Sequence, residues 1–241
     1  MPPLNPFPVW RRASAVCVAV AVALASSASR SRAAGGVGGL WAYETLARGG
    51  AQPTPIAGLF VFFEGRFVQQ SVNVGEPYER QLAQAHAGTY RLDGARLRMF
   101  AEVGVVIDPA ASRPVEWRDD TAHEVTVAEA SDQLTLTFAT GTVQRFRRIG
   151  PGRGELIPLD RGALALVDGR FILAAEGAGS ATSGSGTYER HAESLELRAD
   201  RWVTVRDGRA TYTRDRTIAA TLTSSAFVVD GETWPVGAAR R

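Results

Sequence analysis

Four Asp-Gly pairs, Asp93-Gly94, Asp168-Gly169, Asp207-Gly208 and Asp230-Gly231, limit what this 241-residue chain can become. Each is the pair that a two-residue type I′ hairpin turn demands. Both central residues of that turn need positive φ, which Gly adopts freely and Asp tolerates. Glu64-Gly65 and Thr140-Gly141 are weaker versions of the same signal. Between these turns, apolar and polar residues alternate, which is the period of half-buried strands. Leu97, Met99 and Ala101 alternate with Arg96, Arg98 and Glu102; Leu134, Leu136 and Phe138 alternate with Thr135 and Thr137.

The expected strands are 40–47, 57–64, 66–73, 88–93, 95–103, 122–129, 133–139 and 142–149. A second set follows at 162–168, 170–176, 186–191, 194–199, 202–206, 209–213, 216–223 and 226–230. This is an all-β, antiparallel chain with no βαβ alternation. Pro77 to Ala87 is the one helical candidate, with Pro77 placed to begin a helix. The Gly/Ser-rich stretch Gly177 to Gly186 reads as a mobile loop.

The two halves echo each other. Gly58-Leu59-Phe60-Val61-Phe62-Phe63-Glu64-Gly65-Arg66-Phe67 is matched by Gly162-Ala163-Leu164-Ala165-Leu166-Val167-Asp168-Gly169-Arg170-Phe171. Gly88-Thr89-Tyr90 recurs as Gly186-Thr187-Tyr188, and Leu97 and Met99 recur as Leu195 and Leu197. The same pieces in the same order point to two β-meanders from one ancestor.

Residues 39 to 149 resemble a bacterial lipocalin-like domain. The resemblance lies in Gly39-Leu40-Trp41, the hairpin Phe63-Glu64-Gly65-Arg66-Phe67, and His86-Ala87-Gly88-Thr89-Tyr90. It continues through Glu124-Val125-Thr126-Val127 and Leu134-Thr135-Leu136 to Arg145-Phe146-Arg147-Arg148. It implies an up-and-down barrel over 38–150 whose mouth holds a small hydrophobic or amphipathic molecule. It also implies a structural contact at the closed end between Trp41 and Arg145 or Arg147, of the cation–π kind. The C-terminal meander, 154–236, has no opening Gly-x-Trp. It is either a second module or a set of strands that enlarges the first barrel.

His123 is the leading candidate for chemistry. It shares a strand face with Val125 and Val127 and follows Trp117-Arg118-Asp119-Asp120. An inward His123 would put an imidazole in an apolar cavity, where it could orient a ligand or act as a base. Phe60, Phe62, Phe67, Tyr90, Met99, Phe100 and Trp117 are the other expected ligand contacts. A core filled by the same aromatics is the competing expectation.

His86, His123 and His191 lack metal-ligand spacing, and no Cys accompanies them, so no metal or cofactor is expected. The sequence contains no Gly-x-Ser-x-Gly, Gly-x-Gly-x-x-Gly, phosphate-binding Gly-rich loop or His-Glu-x-x-His. Three functions therefore stand in order: a ligand-binding barrel, an isomerase or cyclase using His123, and a non-catalytic structural or interaction protein of the cell envelope.

Charge bears on the partner. All 27 basic residues are Arg, against 25 Asp and Glu, giving a net +2. Arg11 and Arg12 precede the apolar run Ala15 to Ala25, which is shorter than the ~20 residues needed to span a bilayer. A basic start, a short apolar run and then small residues form a signal-peptide pattern over 1–28, with cleavage near Ala25 or Ala28. Removing the leader takes away Arg11, Arg12 and Cys17, the only Cys, but no acid. That cancels the excess charge, argues against nucleic acid as a partner, and leaves no thiol for a disulfide. The expected product is secreted or periplasmic, with no membrane span once the leader is gone.

Overall fold

The computed structural model describes residues 36–237; the signal-peptide expectation over 1–28 lies outside them. The first nine strands are β1 (Gly39–Ala47), β2 (Thr54–Phe63), β3 (Arg66–Asn73), β4 (Ala83–Asp93), β5 (Arg96–Ile107), β6 (Val115–Trp117), β7 (Thr121–Ala130), β8 (Gln133–Phe138) and β9 (Val143–Gly150). The next nine are β10 (Gly154–Leu159), β11 (Gly162–Val167), β12 (Arg170–Gly177), β13 (Ser180–His191), β14 (Ser194–Arg206), β15 (Arg209–Thr213), β16 (Arg216–Leu222), β17 (Ala226–Val229) and β18 (Glu232–Pro235).

Each set forms its own antiparallel sheet. The first runs β4-β3-β2-β1-β9-β8-β7-β5-β6, and a β4–β5 pairing closes eight of its strands into a barrel. The second runs β10-β11-β12-β13-β14-β16-β17-β18, with β15 beside β14. A single bridge, Leu159 to Val236, draws its two edges together, helped by backbone bonds Asp160 N–H to Pro235 O and Gly237 N–H to Pro158 O. The C-terminal strands thus make a second, nearly closed barrel and do not enlarge the first.

The two barrels repeat each other in detail. In each, one long strand pairs first with one neighbour and then with a short one: β5 with β7 and β6, β14 with β16 and β15. In each, that strand carries a one-residue bulge opposite a glycine. Glu102 is the extra residue facing the Ala87–Gly88 step, and Asp200 the one facing Ser185–Gly186. A bulge exchanges the inward and outward faces beyond it. Arg66 bonds Glu102 at 2.8 Å and Arg170 bonds Asp200 at 3.3 Å, pinning the extra residue in both copies. A Cβ on Gly88 would overlap Phe100 O, and one on Gly186 would overlap Arg198 O, so neither position tolerates a side chain.

Two expectations are corrected. Pro77 to Ala87 is not a helix: only Tyr78–Arg80 make a 3-10 turn, and β4 begins at Ala83. Ala83, Ala85 and Ala87 are buried on one side of β4 and face the second barrel, so packing overrides alanine's helical preference. The Gly/Ser stretch is not a mobile loop either. Ser180–Gly186 opens β13, and Ala181 to Ser185 are buried there. Small side chains are what that strand needs, because the other barrel covers one face and Trp202 lies over Gly184 on the other.

The barrels pack through their outer faces. Val61, Val68, Val72, Ala85 and Val105 of the first join Ala163, Val167, Ile172, Ala174 and Val203 of the second in one cluster. Ser185 donates to Gln70 Oε1 at 2.8 Å within it. At its border Arg161 reaches both the buried Glu176, at 2.7 Å, and Asp119 of the first barrel.

The closed end of the first barrel is held by one stack. Arg148 lies over the Trp41 ring with Cζ 4.0 Å from its centroid, donates to Gly38 O and binds Glu129, both at 2.8 Å. Trp41 Nε1 donates to Val37 O at 2.8 Å. The partner is Arg148, not Arg145 or Arg147. Gln144, Phe146 and Arg148 share the inward side of β9, whereas Arg145 and Arg147 are exposed.

Two predictions follow from these contacts. Arg148→Lys keeps the charge but loses the planar stack, and should lower the urea-unfolding free energy by roughly 1–2 kcal/mol. Burial raises the Glu176 carboxyl from its ordinary value to about 7. The folded chain then binds that proton more tightly than the unfolded one, so this group's contribution to stability increases as pH falls from about 7 to 4.5. Relative to wild type, Glu176→Gln should gain up to about 3 kcal/mol of stability between pH 4.5 and pH 8, on top of a pH-independent offset from the weakened bond to Arg161, read from urea unfolding at the two pH values.

Candidate functional site

The first barrel is filled at one end and hollow at the other. At the closed end Trp41, Phe62, Phe67, Leu97, Leu134 and Phe146 pack into an apolar core, which Tyr90 joins by meeting Phe62 edge-on at 5.1 Å. Toward the C-terminal end of β1 a cavity of about 380 Å³ opens. Phe60, Phe67, Met99 and Ala101 give it an apolar floor, and Phe138 and Leu46 add apolar wall. The size falls within the range of small-molecule sites.

The rest of the wall is polar and mostly uncharged. The Tyr43 hydroxyl donates to Gln69 Oε1 at 3.0 Å, and the Gln69 amide donates to His86 Nδ1. With Nδ1 accepting, a neutral His86 carries its proton on Nε2. His123 meets His86 edge-on at 6.5 Å and Phe138 at 5.7 Å. Gln84 and Gln144 complete this inner wall. Gln84 Nε2 and Gln144 Oε1 are buried and have no hydrogen-bond partner among the described residues.

Electrostatics keeps the two imidazoles neutral. Burial, then His123 and Arg118, push His86 down to about 3. Burial and Arg118 lower His123 as well. Burial raises the Tyr43 hydroxyl far beyond the range in which it would ionise. Full charges line only the rim, where Arg48, Asp108, Arg113, Glu116 and Arg118 belong to β1's exit and the β5–β7 segment. Arg118 binds Glu116 through two bonds of 2.9 Å, and its backbone N–H donates to Gly104 O at 2.6 Å, tying the rim to β5.

Of the residues expected at a ligand site, Phe60, Phe67, Met99 and His123 line the cavity. Four do not. Phe62 and Tyr90 belong to the closed-end core. Phe100 is 40% exposed and borders a separate hollow between the barrels, alongside Arg66 and Arg161. Trp117 is 41% exposed, although its neighbours Glu116 and Arg118 reach the rim. Alternation explains these outcomes: Phe100 is out of step with Met99 and Ala101, and Trp117 with Glu116. His191 is exposed at the end of β13.

Tyr43, Gln69, Gln84, His86 and Gln144 are the site residues that sequence reasoning passed over or left aside. The repeat could have found them. Matching strand registers place them against counterparts in the second barrel, and Gln84 opposite Val106 corresponds to Thr182 opposite Thr204, which is polar as well. Tyr43 opposite Phe146 corresponds to Leu159 opposite Val236. Gln69 opposite Phe60 corresponds to Leu173 opposite Leu164. His123 opposite Met99 corresponds to Ile218 opposite Leu197. Gln144 opposite Leu136 corresponds to Trp234 opposite Phe227. His86 opposite Gly104 becomes Gly184 opposite Trp202, so the bulky partner changes strand.

The second barrel therefore has apolar bulk at the places of Tyr43, Gln69, His123 and Gln144. Leu173, Leu197, Trp202, Ile218, Phe227 and Trp234 are all buried in its interior cluster. Compared with known proteins, the sequence matches no family model and no curated protein.

His86 makes the site acid-sensitive. Its folded value lies near 3 against an ordinary 6.5, so the unfolded chain takes the proton first. Stability from this residue is complete above about pH 6.5 and is lost progressively as pH falls toward 3. Between pH 7 and 4, His86→Gln should gain on wild type by up to about 3 kcal/mol, read as a shrinking Tm deficit.

Proposed function

We propose that this protein binds a small amphipathic molecule in the cavity of its first barrel, and that it does so as an exported, lipocalin-like binding protein. The contrast between the two barrels carries this reading. One template with the same registers is packed with apolar bulk in one copy and kept hollow and polar in the other. Polar groups at buried positions cost stability unless they are hydrogen-bonded, and Gln84 Nε2 and Gln144 Oε1 have no partner among the described residues. The fold does not need them, since Leu159, Leu173, Ile218 and Trp234 serve at the matching positions.

The lipocalin-like reading draws support from the closed up-and-down barrel and from Gly39-Leu40-Trp41 capped by Arg148. Export is proposed from the basic and apolar leader alone. A packed envelope protein fits the first barrel poorly, because its interior holds about 380 Å³ of space. Catalysis by His123 fits less well than binding. Among the described residues, no carboxylate hydrogen-bonds to His123 or His86, Glu116 is engaged by Arg118, and Asp119 by Arg161. A general base usually has such an orienting partner.

Native mass spectrometry of the exported protein should reveal a bound small molecule. Gln144→Trp copies Trp234 of the second barrel and fills the cavity. This variant should lose the bound mass while its Tm stays level or rises, since a buried unpaired amide is removed. A variant that folds and retains the bound molecule at full occupancy would place the ligand elsewhere and overturn the proposal.

A further inference from the structure

We infer that the mouth of the cavity is latched to the second barrel by a proton held between Glu176 and Asp119 beside Arg161. With the proton in place, the mouth segment 116–121 is fixed; when the proton leaves, that segment loosens. That the latch governs exchange of a bound molecule rests on the binding role proposed above, whereas the latch itself stands apart from it.

The mouth segment runs from β6 into β7. Glu116 and Arg118 line the cavity mouth, and β6 is a three-residue strand paired with β5 alone. Arg118 N–H donates to Gly104 O at 2.6 Å, and Gly104 N–H donates to Asp119 Oδ1 at 3.3 Å. Gly104 lies opposite His86 of the cavity wall. From the second barrel, one nitrogen of Arg161 binds both Asp119 Oδ2 and, at 2.7 Å, Glu176 Oε2. Asp119 is therefore the point at which the second barrel holds the mouth.

Two carboxylates share one guanidinium there, which leaves one negative charge in excess. Glu176 is 3% exposed, and its Oε1 has no hydrogen-bond partner among the described residues. The surrounding elements do not offset the charge. The faces of β2 to β5 turned to the second barrel carry Val61, Val72, Ala83, Ala85 and Val105, and Ala181 of β13 stands opposite Glu176. The adjoining hollow adds two more acids, Asp120 and Asp160, and its Arg66 is engaged by Glu102. A proton supplies the missing charge. Burial raises the Glu176 carboxyl, Arg161 lowers it, and Asp119 raises it again by its charge and as a hydrogen-bond acceptor, to about 7.

The direction of the switch follows from linkage, which is reciprocal. A docked Asp119 strengthens proton binding by Glu176, so a protonated Glu176 strengthens docking of Asp119. Arg161 stays beside Glu176 in both states, because Glu176 N–H donates to Arg161 O at 3.1 Å. The part free to leave is the mouth segment. Glu176 is thus a positioning residue, acting on the cavity through Arg161 and Asp119.

The test measures hydrogen-exchange protection of the Arg118 and Gly104 amides in the full chain, corrected for intrinsic rates, from pH 6 to 8.5. In wild type, protection should fall at least about fivefold across a midpoint near 7. Glu176→Gln, neutral at every pH and still able to donate to Asp119, should hold its protection within about twofold over the range. Asp119→Asn keeps an acceptor for Gly104 but removes the charge, so it should move the step to lower pH; it also serves if the first variant fails to fold. His86 and His123 take up protons only below the ordinary 6.5, so a step near 7 is not theirs. N-phenyl-1-naphthylamine, a neutral probe, should leave wild type about threefold or more faster at pH 8.5 than at pH 6 by stopped-flow fluorescence, and leave Glu176→Gln equally fast at both. Flat protection in wild type, or an undiminished step in Glu176→Gln, would overturn the latch. Probe release independent of pH, with the step present, would overturn its control of exchange. A step with no probe binding at either pH would count against the binding role and leave the latch standing.

Discussion

Strands β3 and β12 have no face turned to water. Phe67 and Gln69 point into the first barrel, and Val68, Gln70 and Val72 point at the second. Phe171 and Leu173 fill the second barrel, and Ile172 and Ala174 return the contact. A barrel standing alone would carry polar residues on these outer faces. Here each barrel covers the apolar outside of the other, through equivalent strands, as subunits do across a two-fold interface. Much else follows from that covering. The alanines of β4 and the small residues of β13 occur where two sheets approach closely, and the Arg161 bridge to Glu176 and Asp119 occurs where the contact meets solvent.

Within this pair the copies have divided the work of being a barrel. The second fills its interior with large side chains: Trp202 extends over Gly184, and Trp234 stacks near Phe227 at 6.1 Å. The first gives up that packing at one end, accepting uncharged polar residues on its wall and two unpaired amide atoms. Such concessions are tolerable because the closed end remains dense and the neighbouring barrel braces β2 through β5. Local violations of packing rules amid otherwise consistent structure are where function is looked for.

Much of the fold was legible in the residues. Asp-Gly turns and alternation located most strands, and the matched Gly-Arg-Phe and Gly-Thr-Tyr segments marked the repeat. The site was legible only in part. Period-two alternation groups Met99 with Leu97 and Ala101, and His123 with Val125 and Val127, and in the closed barrel Met99 and His123 line the cavity. It also misdirected, because Phe62 is inward but at the filled end of the barrel, and alternation says nothing of depth. Phe100 follows Met99 in the chain, and the two side chains face opposite sides of β5. The bulge at Glu102 reverses the faces of β5, so the inward Gly104 could not be assigned by counting from Met99. The small residues from Gly177 to Gly186 are ambiguous in any sequence, since loops and tightly covered strands draw on the same amino acids.

By itself the sequence determined the local choices: where the chain turns, which residues can share a face, and that the two halves follow one plan. These depend on backbone dihedrals and on contacts between near neighbours, which the order of residues fixes directly. Only the tertiary structure decided which arginine caps Trp41, that the second half closes on itself, and that one barrel is hollow while its copy is full. Those outcomes depend on how strands distant in the chain are registered and on the volume their side chains leave between them. Gln144 and Trp234 illustrate the difference: each is one residue in an alternating strand, and only the closed barrel shows that one leaves space and the other removes it.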